Sequence, residues 1–232
     1  PSIGRWINRD PIEEYGGLNL YGMVDNDPVN TIDCRGLIAY AFDKNSCALN
    51  VDLSWKVQFT VIDDHENQLW LNAAKNAVEG YFNNLKLTCK SKLKTCCLCR
   101  NGVRVKVNLK YVNSNADYTI SVRYLSNHRS SVNRRTNTGD FGINDPYPSD
   151  NYSPDGTRYT QTTVVHEAGH ILGLDHPGQS SKLPAIPNSD ADYDADPSSL
   201  MGRGMEMRTP NFDTAFCGYI NDGEKCAPWS SQ

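Results

Sequence analysis

Residues 166–176 read His-Glu-Ala-Gly-His-Ile-Leu-Gly-Leu-Asp-His, the pattern H-E-x-x-H-x-x-G-x-x-H. In a helix of about 3.6 residues per turn, His166 and His170 share one face, so both imidazoles can reach one ion at about 2.0–2.1 Å, the usual zinc–nitrogen bond. Glu167 is rotated off that line, placed to handle the proton of a water rather than to bind the metal. Gly173 tolerates the left-handed conformation that ends a helix and turns the chain back. That turn brings His176 toward the same ion. Three neutral imidazoles leave a fourth position open, which marks a catalytic rather than a closed structural zinc site. Zinc lowers the pKa of water to about 7, and Glu167 can then take its proton as hydroxide attacks a carbonyl. Three of the chain's 5 histidines fall in this pattern, so solvated or core histidines arranged by chance account for it poorly. The other two, His65 and His128, have no nameable partner and read as surface residues.

The elements that must position these residues are also legible. Val164, Ala168, Ile171 and Leu172 give the motif helix an apolar face opposite the histidines. Upstream, residues 51–61 alternate strictly, with Val51, Leu53, Trp55, Val57, Phe59 and Val61 on one face, and predict a half-buried strand. Asp63 followed by Glu66 predicts a capped helix start, and Trp70, Ala73, Ala74, Ala77, Val78, Tyr81, Phe82 and Leu85 continue at helical spacing. Two more strands are expected at 103–111 and 118–124, the first preceded by the Asn101-Gly102 hairpin signal. Between Asn127 and Gly156 the chain is rich in Ser, Asn, Asp, Gly and Pro, which predicts loops with at most one short strand. No internal repeat is present. The fold class expected is α+β: a twisted mixed sheet, a long backing helix, an active-site helix and a small C-terminal subdomain after the zinc motif.

The zinc motif, followed by Ser199-Leu200-Met201, resembles the metzincin clan of zinc metallopeptidases. The resemblance implies a Met-turn, a tight turn whose methionine lies beneath the metal. Met201 is the candidate over Met205 and Met207 because Ser199 and Gly202 suit a tight turn. Two residues after Met201, where some members of the clan carry a tyrosine that binds zinc or steadies the oxyanion, this chain has Arg203, read either as an oxyanion stabiliser or as a solvated arginine. Asp190, Asp192, Asp194 and Asp196 alternate ahead of that turn, so Ca2+ is a second candidate cofactor beside Zn2+. Ala195 and Met201 nevertheless stand where a calcium loop needs its glycine and final carboxylate, and the alternative is a solvated acidic loop. In the clan this stretch borders the substrate's side-chain pocket. Arg129, Arg134 and Arg135 lack interleaved aromatics and read as a solvated basic loop.

Residues 4–37 have a different character, with short apolar pieces punctuated by Gly16-Gly17, Asn26-Asp27-Pro28, Asp33 and Gly36. Almost every position of this stretch resembles the core-terminal signature of RHS/YD-repeat proteins. That resemblance implies a short β-rich remnant of an RHS core at residues 1–37, followed by a variable domain at 38–232, often a toxin and often released by self-cleavage. The cut is expected between Leu37 and Ile38, although Cys34 replaces the usual proline. Asp10 and Asp33 are candidates for a proton-sharing self-cleavage pair, or else turn-capping aspartates. The first residues lack a starting methionine and the layout of a signal peptide, so the sequence is expected to be a piece of a longer polypeptide.

With 232 residues, 38% hydrophobic and 22% charged, the chain has the composition of a soluble globular protein. No apolar run approaches the length of a membrane span, and a formal net charge of −4 provides no general field for nucleic acid. Eight cysteines, an even number, favour disulfides in an oxidising compartment; Cys89, Cys96, Cys97 and Cys99 can alternatively form a thiolate zinc site. The expectation is therefore a secreted or extracytoplasmic zinc endopeptidase, an RHS-associated effector. Its expected partners are a protein or peptide substrate, the upstream RHS shell and an immunity protein. A hydrolase of peptidoglycan cross-links and a non-catalytic binding module with a metal-stabilised fold are the rival readings.

Overall fold

The computed structural model describes residues 31–32, 38–43, 45–61, 63–89, 102–124, 129–176, 196–206 and 229–231. Its elements are β1 (Thr31–Ile32), β2 (Ala39–Asp43), β3 (Ala48–Phe59), α1 (Asp64–Asn83), β4 (Lys86–Cys89), β5 (Val103–Tyr111), β6 (Tyr118–Arg123), β7 (Ser131–Asn133), β8 (Thr138–Gly142), β9 (Pro148–Tyr152), β10 (Arg158–Thr162), α2 (Thr163–Ile171) and β11 (Trp229–Ser231). The fold is mixed α+β. No described helix is long and apolar enough to cross a membrane.

The main sheet runs in the order β11-β4-β5-β3-β6-β8-β7, while β9 and β10 form a separate hairpin. Strand β3 is its axis, and the alternation seen in the sequence buries Val51, Leu53 and Trp55 completely. It pairs in parallel with β5 from Ala48 to Trp55 and with β6 from Trp55 to Phe59, so Trp55 lies in register with both Tyr111 and Tyr118. On the β6 side, its first residues pair antiparallel with β2. Strand β1, within the segment assigned to the RHS remnant, pairs with β2. Val61, expected on the same buried face, falls past the end of the strand and is 46% exposed.

Helix α1 starts where the sequence places it. Asp63 takes an extended conformation, and its Oδ1 accepts the Glu66 amide at 3.0 Å. A four-residue stripe, Trp70, Ala74, Val78 and Phe82, buries the inner face. The same helix also closes a sheet edge. Strand β4 reaches only the first residues of β5, and beyond them Val107 N donates to Asn83 Oδ1 at 2.6 Å and Leu109 N to Glu79 Oε1 at 2.8 Å. Lys75 Nζ donates to Leu109 O and pairs with Glu79. Polar side chains of α1 thus stand in for a neighbouring strand, satisfying backbone groups that would otherwise be left open.

The stretch read as loops with at most one strand contains three, β7, β8 and β9. Strand β8, Thr-Gly-Asp-Phe-Gly, has one large apolar residue and no readable period. It is a strand because it pairs in parallel with β6, and Phe141 packs edge-on to Trp55 at 5.7 Å between ring centroids. Tertiary pairing here overrides weak local propensity. Asn133 Oδ1 accepts the amides of Arg135 and Thr136, and Asn137 adopts φ 53°, which closes the tight β7–β8 turn. Trp70 Nε1 donates to Gly142 O at 3.2 Å and ties α1 to the end of β8. Tyr124, expected in the strand of β6, lies just beyond it, its hydroxyl donating to Asn67 Oδ1 at 2.9 Å. Cys47 is disulfide-bonded, and the calls on Cys34, Cys96, Cys97, Cys99, Asp10, Asp33 and most of the C-terminal subdomain lie outside the described residues.

Candidate metal centre

Strand β10 runs directly into α2. The junction residue Thr162 makes no side-chain cap bond; instead Val164 N, an amide of the helix's first turn, donates to Asp145 O in the turn after β8 at 3.0 Å. Val164, Ala168, Ile171 and Leu172 are all buried, as their spacing predicts. At the far end Leu174 N reaches back to Gly169 O at 2.9 Å and Gly173 N to His170 O at 3.0 Å, with Gly173 at φ 98°. This is the glycine-dependent helix stop expected at that position. It reverses the chain and returns His176 to the face carrying His166 and His170.

The three imidazoles converge. His176 Nε2 lies 2.9 Å from His170 Nε2 and 3.3 Å from His166 Nε2, and the three residues form a cluster able to hold a metal ion. Carbonyl contacts fix two tautomers: His166 Nδ1 is 2.7 Å from Leu200 O, and His170 Nδ1 is 2.9 Å from Leu174 O. A carbonyl only accepts, so each Nδ1 carries the hydrogen and each Nε2 presents its lone pair. Burial, with the neighbouring His176, pushes the His166 pKa down to about 4; burial with His166 and His176 nearby holds His170 well below its ordinary value. These two imidazoles are therefore neutral near pH 7. His166 Nε2 and His170 Nε2 thus offer lone pairs beside His176 Nε2, where one cation can meet all three nitrogens. Two nitrogens bound tetrahedrally at the usual zinc distance stand about 3.3 Å apart, so the donor set and its spacing fit such an ion.

Glu167 is 6% exposed, and its Oε2 has no hydrogen-bond partner among the described residues. Burial, helped by the charge of Asp145 and opposed by that of Arg129, raises its pKa to about 8. Asp145 is itself engaged, with Oδ2 accepting Gly142 N at 2.9 Å and the Ser130 hydroxyl.

Met201 is fully buried against α2: a Cβ added at Gly169 would lie 2.7 Å from its Sδ. Its turn is compact, with Ser199 N to Asp196 O at 3.1 Å, Gly202 N to Ser199 O at 3.0 Å, and Met201 N to Ser199 Oγ at 3.2 Å. A Cβ at Gly202 would meet Asp196 O at 2.2 Å, which explains the glycine. Met205 is half-buried and accepts bonds from two sides, Thr162 N at its Sδ and Tyr81 Oη at its carbonyl; Met207 lies outside the described residues. Arg203 is half-buried, and its Nη1 donates to Asn151 Oδ1 at 3.3 Å.

His65 is exposed in the first turn of α1, whereas His128 and three of the four aspartates proposed for calcium lie outside the described residues. The fourth, Asp196, caps the Met201 turn through its carbonyl and accepts the Ser198 hydroxyl. Arg134, read as solvated, pairs with Asp175 beside His176. Gln161 escaped sequence reading altogether, because a single glutamine before a helix carries no local signal. It is 7% exposed and bonds to the turn of Met201. Compared with protein-family models, curated proteins and solved structures, the chain matches none.

Proposed function

We propose that the chain is a zinc-dependent endopeptidase. The observation that carries this reading is the convergence of three imidazoles, two of them with set tautomers, beside a buried carboxylate whose Oε2 has no partner among the described residues. His166, His170 and His176 would hold the ion. Zinc bound there supplies Lewis acidity, making water a nucleophile at neutral pH and polarising a carbonyl. Glu167 takes the proton of the attacking water at Oε2 and returns it to the departing amide nitrogen. Met201 supports the histidines from the far side of Gly169, in the role that the metzincin resemblance gives its Met-turn.

The substrate is an extended peptide that adds a strand to β7, which ends the sheet order and lies beside α2. The RHS-like segment at 1–37 makes the domain the terminal effector of a secreted shell protein, with an immunity partner protecting its producer. The disulfide at Cys47 is in keeping with an oxidising compartment.

The test is to incubate the zinc-loaded chain with an unfolded protein and, separately, with purified cell wall, comparing wild type with Glu167→Ala. Cleavage of the protein that disappears in a variant still binding one zinc supports the proposal. Release of wall peptides alone would replace it with the cross-link hydrolase, and zinc binding without either activity with a metal-stabilised binding module.

A further inference from the structure

Three backbone carbonyls of the Met201 turn point at one side-chain nitrogen. Gln161 Nε2 lies 3.1 Å from Leu200 O, 3.0 Å from Gly202 O and 3.1 Å from Gly204 O. All three residues are buried. The orientation of the amide follows from chemistry, since the flipped form would set Oε1 against three carbonyl oxygens. Leu200 O accepts a second donor, the Nδ1–H of His166 at 2.7 Å, so both of its lone pairs are used. One carbonyl oxygen is thus shared between Gln161 and a residue of the candidate metal centre. Gln161 Nε2 is also only 3.2 Å from His166 Nδ1; both nitrogens carry hydrogens, so this approach is a consequence of their common acceptor.

The other end of the amide closes a loop of contacts. Gln161 Oε1 accepts from Asn151 Nδ2 at 3.4 Å, Asn151 Oδ1 accepts from Arg203 Nη1 at 3.3 Å, and Arg203 belongs to the Met201 turn itself. The guanidinium polarises one amide, which polarises the next, and chains of this kind strengthen one another where water is excluded. Removing the Gln161 amide would leave Leu200 O with His166 alone and take from the buried carbonyls of Gly202 and Gly204 the donor they share, a loss that the turn can relieve only by moving.

We infer that Gln161 is a positioning residue for the metal centre: its amide locks the Met201 turn so that Leu200 O holds the His166 ring in its metal-facing orientation and tautomer. This rests on the reading that the three histidines hold a metal. Partners behind metal-binding histidines act in this way, and their loss typically costs about 10–100-fold in metal affinity.

The test uses the whole chain, Zn2+ alone in competition with a chromogenic chelator, and proton–nitrogen NMR of the histidine side chains in the metal-free protein. Wild type is expected to show a His166 Nδ1–H signal slow to exchange with solvent. Gln161→Leu is expected to lose that protection and to bind Zn2+ about 10–100-fold more weakly. Tyr81→Phe serves as the control, because it removes a bond to the same turn at Met205 O but none at Leu200; it should keep the signal. Wild-type affinity and an intact signal in Gln161→Leu would overturn the inference. So would an equal loss in Tyr81→Phe, which would assign the effect to the turn in general. If Gln161→Leu does not fold, Asn151→Ala decides from outside the core: weaker Zn2+ binding supports the inference and unchanged binding overturns it. Failure of wild type to bind Zn2+ would instead defeat the metal reading, and the metal-free His166 signal would still decide the role of Gln161.

Discussion

Helices α1 and α2 pack against each other, yet they are built on opposite terms. The longer, 20 residues, has a side-chain cap, a four-residue apolar stripe, and a carboxylate and an amide, Glu79 and Asn83, that find partners on β5. The shorter, nine residues, has no side-chain cap and buries a glutamate and a histidine, Glu167 and His166. Nine residues are too few for a helix to hold itself, and buried polar groups without partners cost free energy. What keeps α2 in place comes from outside it: Asp145 at its start, the Gly173 reversal at its end and the Met201 turn along its side. Local rules are met in the supporting helix and broken in the one that carries the candidate metal centre.

The sharpest way to break this comparison is to exchange the roles of two glutamates. Glu79 in α1 accepts Leu109 N and pairs with Lys75, whereas Glu167 Oε2 has no partner among the described residues. Glu167→Gln is expected to lower proteolytic turnover by about 10²–10⁴-fold while leaving zinc binding and melting temperature near wild type. Glu79→Ala should do the reverse, costing about 1–3 kcal/mol in denaturant unfolding by orphaning a buried amide, with activity per folded molecule unchanged. Equal activity losses in the two variants would erase the distinction between the helices.

A pair of glycines gives the next largest contrast. A Cβ at Gly80 in α1 would meet nothing within 4 Å, but at Gly169 in α2 it would strike Met201 Sδ at 2.7 Å. Gly169→Ala is therefore expected to cost about 1–3 kcal/mol by overpacking and to weaken zinc binding, since Met201 must retreat. Gly80→Ala should gain about 0.5–1 kcal/mol from reduced backbone freedom. Denaturant midpoints of the two variants moving the same way would show that the methionine contact does not constrain α2.

The same contrast decides what could be read from the sequence. Helix α1 and strands β3 and β5 were legible because cap, stripe and alternation are patterns of neighbouring residues. The histidine cluster was legible for the same reason, since an i, i+4 pair and a helix-ending glycine are local features. Strand β8 was hidden because its status depends on pairing with β6 rather than on its own five residues. Gln161 and Tyr81 were hidden more deeply: their partners in the turn lie 39 to 43 and 124 positions away. Arg134 read as solvated because Asp175, its partner, is 41 residues distant.

Helix starts extend the comparison to smaller effects. Asp63→Ala removes the acceptor of Glu66 N and is expected to destabilise the protein by about 1 kcal/mol. Thr162→Val removes no side-chain cap bond, so its cost in denaturant unfolding should be smaller. A larger loss at Thr162 than at Asp63 would mean that α2 depends on its own cap after all.

The smallest expected effect concerns the β9–β10 hairpin that leads into α2, where the chain returns to local rules. Asp155 Oδ1 accepts Thr157 N at 3.0 Å and the Ser153 hydroxyl, and Gly156 takes φ 84° to close the turn. These hydrogen bonds, that of Ser153 foremost, hold the carboxyl pKa down to about 2, against an ordinary 3.8. The folded value is the lower one, so the ionised carboxylate favours the folded turn above pH 3.8, and that contribution fades as pH falls through about 2. Solvent screens this exposed group, so the effect on global stability is slight and the site itself is the place to measure it. A carboxyl titration by NMR should find Asp155 ionising well below a typical aspartate, and Ser153→Ala should move its midpoint upward. A midpoint near 3.8 in wild type would show that the hairpin turn is not held by its own side chains, leaving its geometry, like that of α2, to be set by the elements around it.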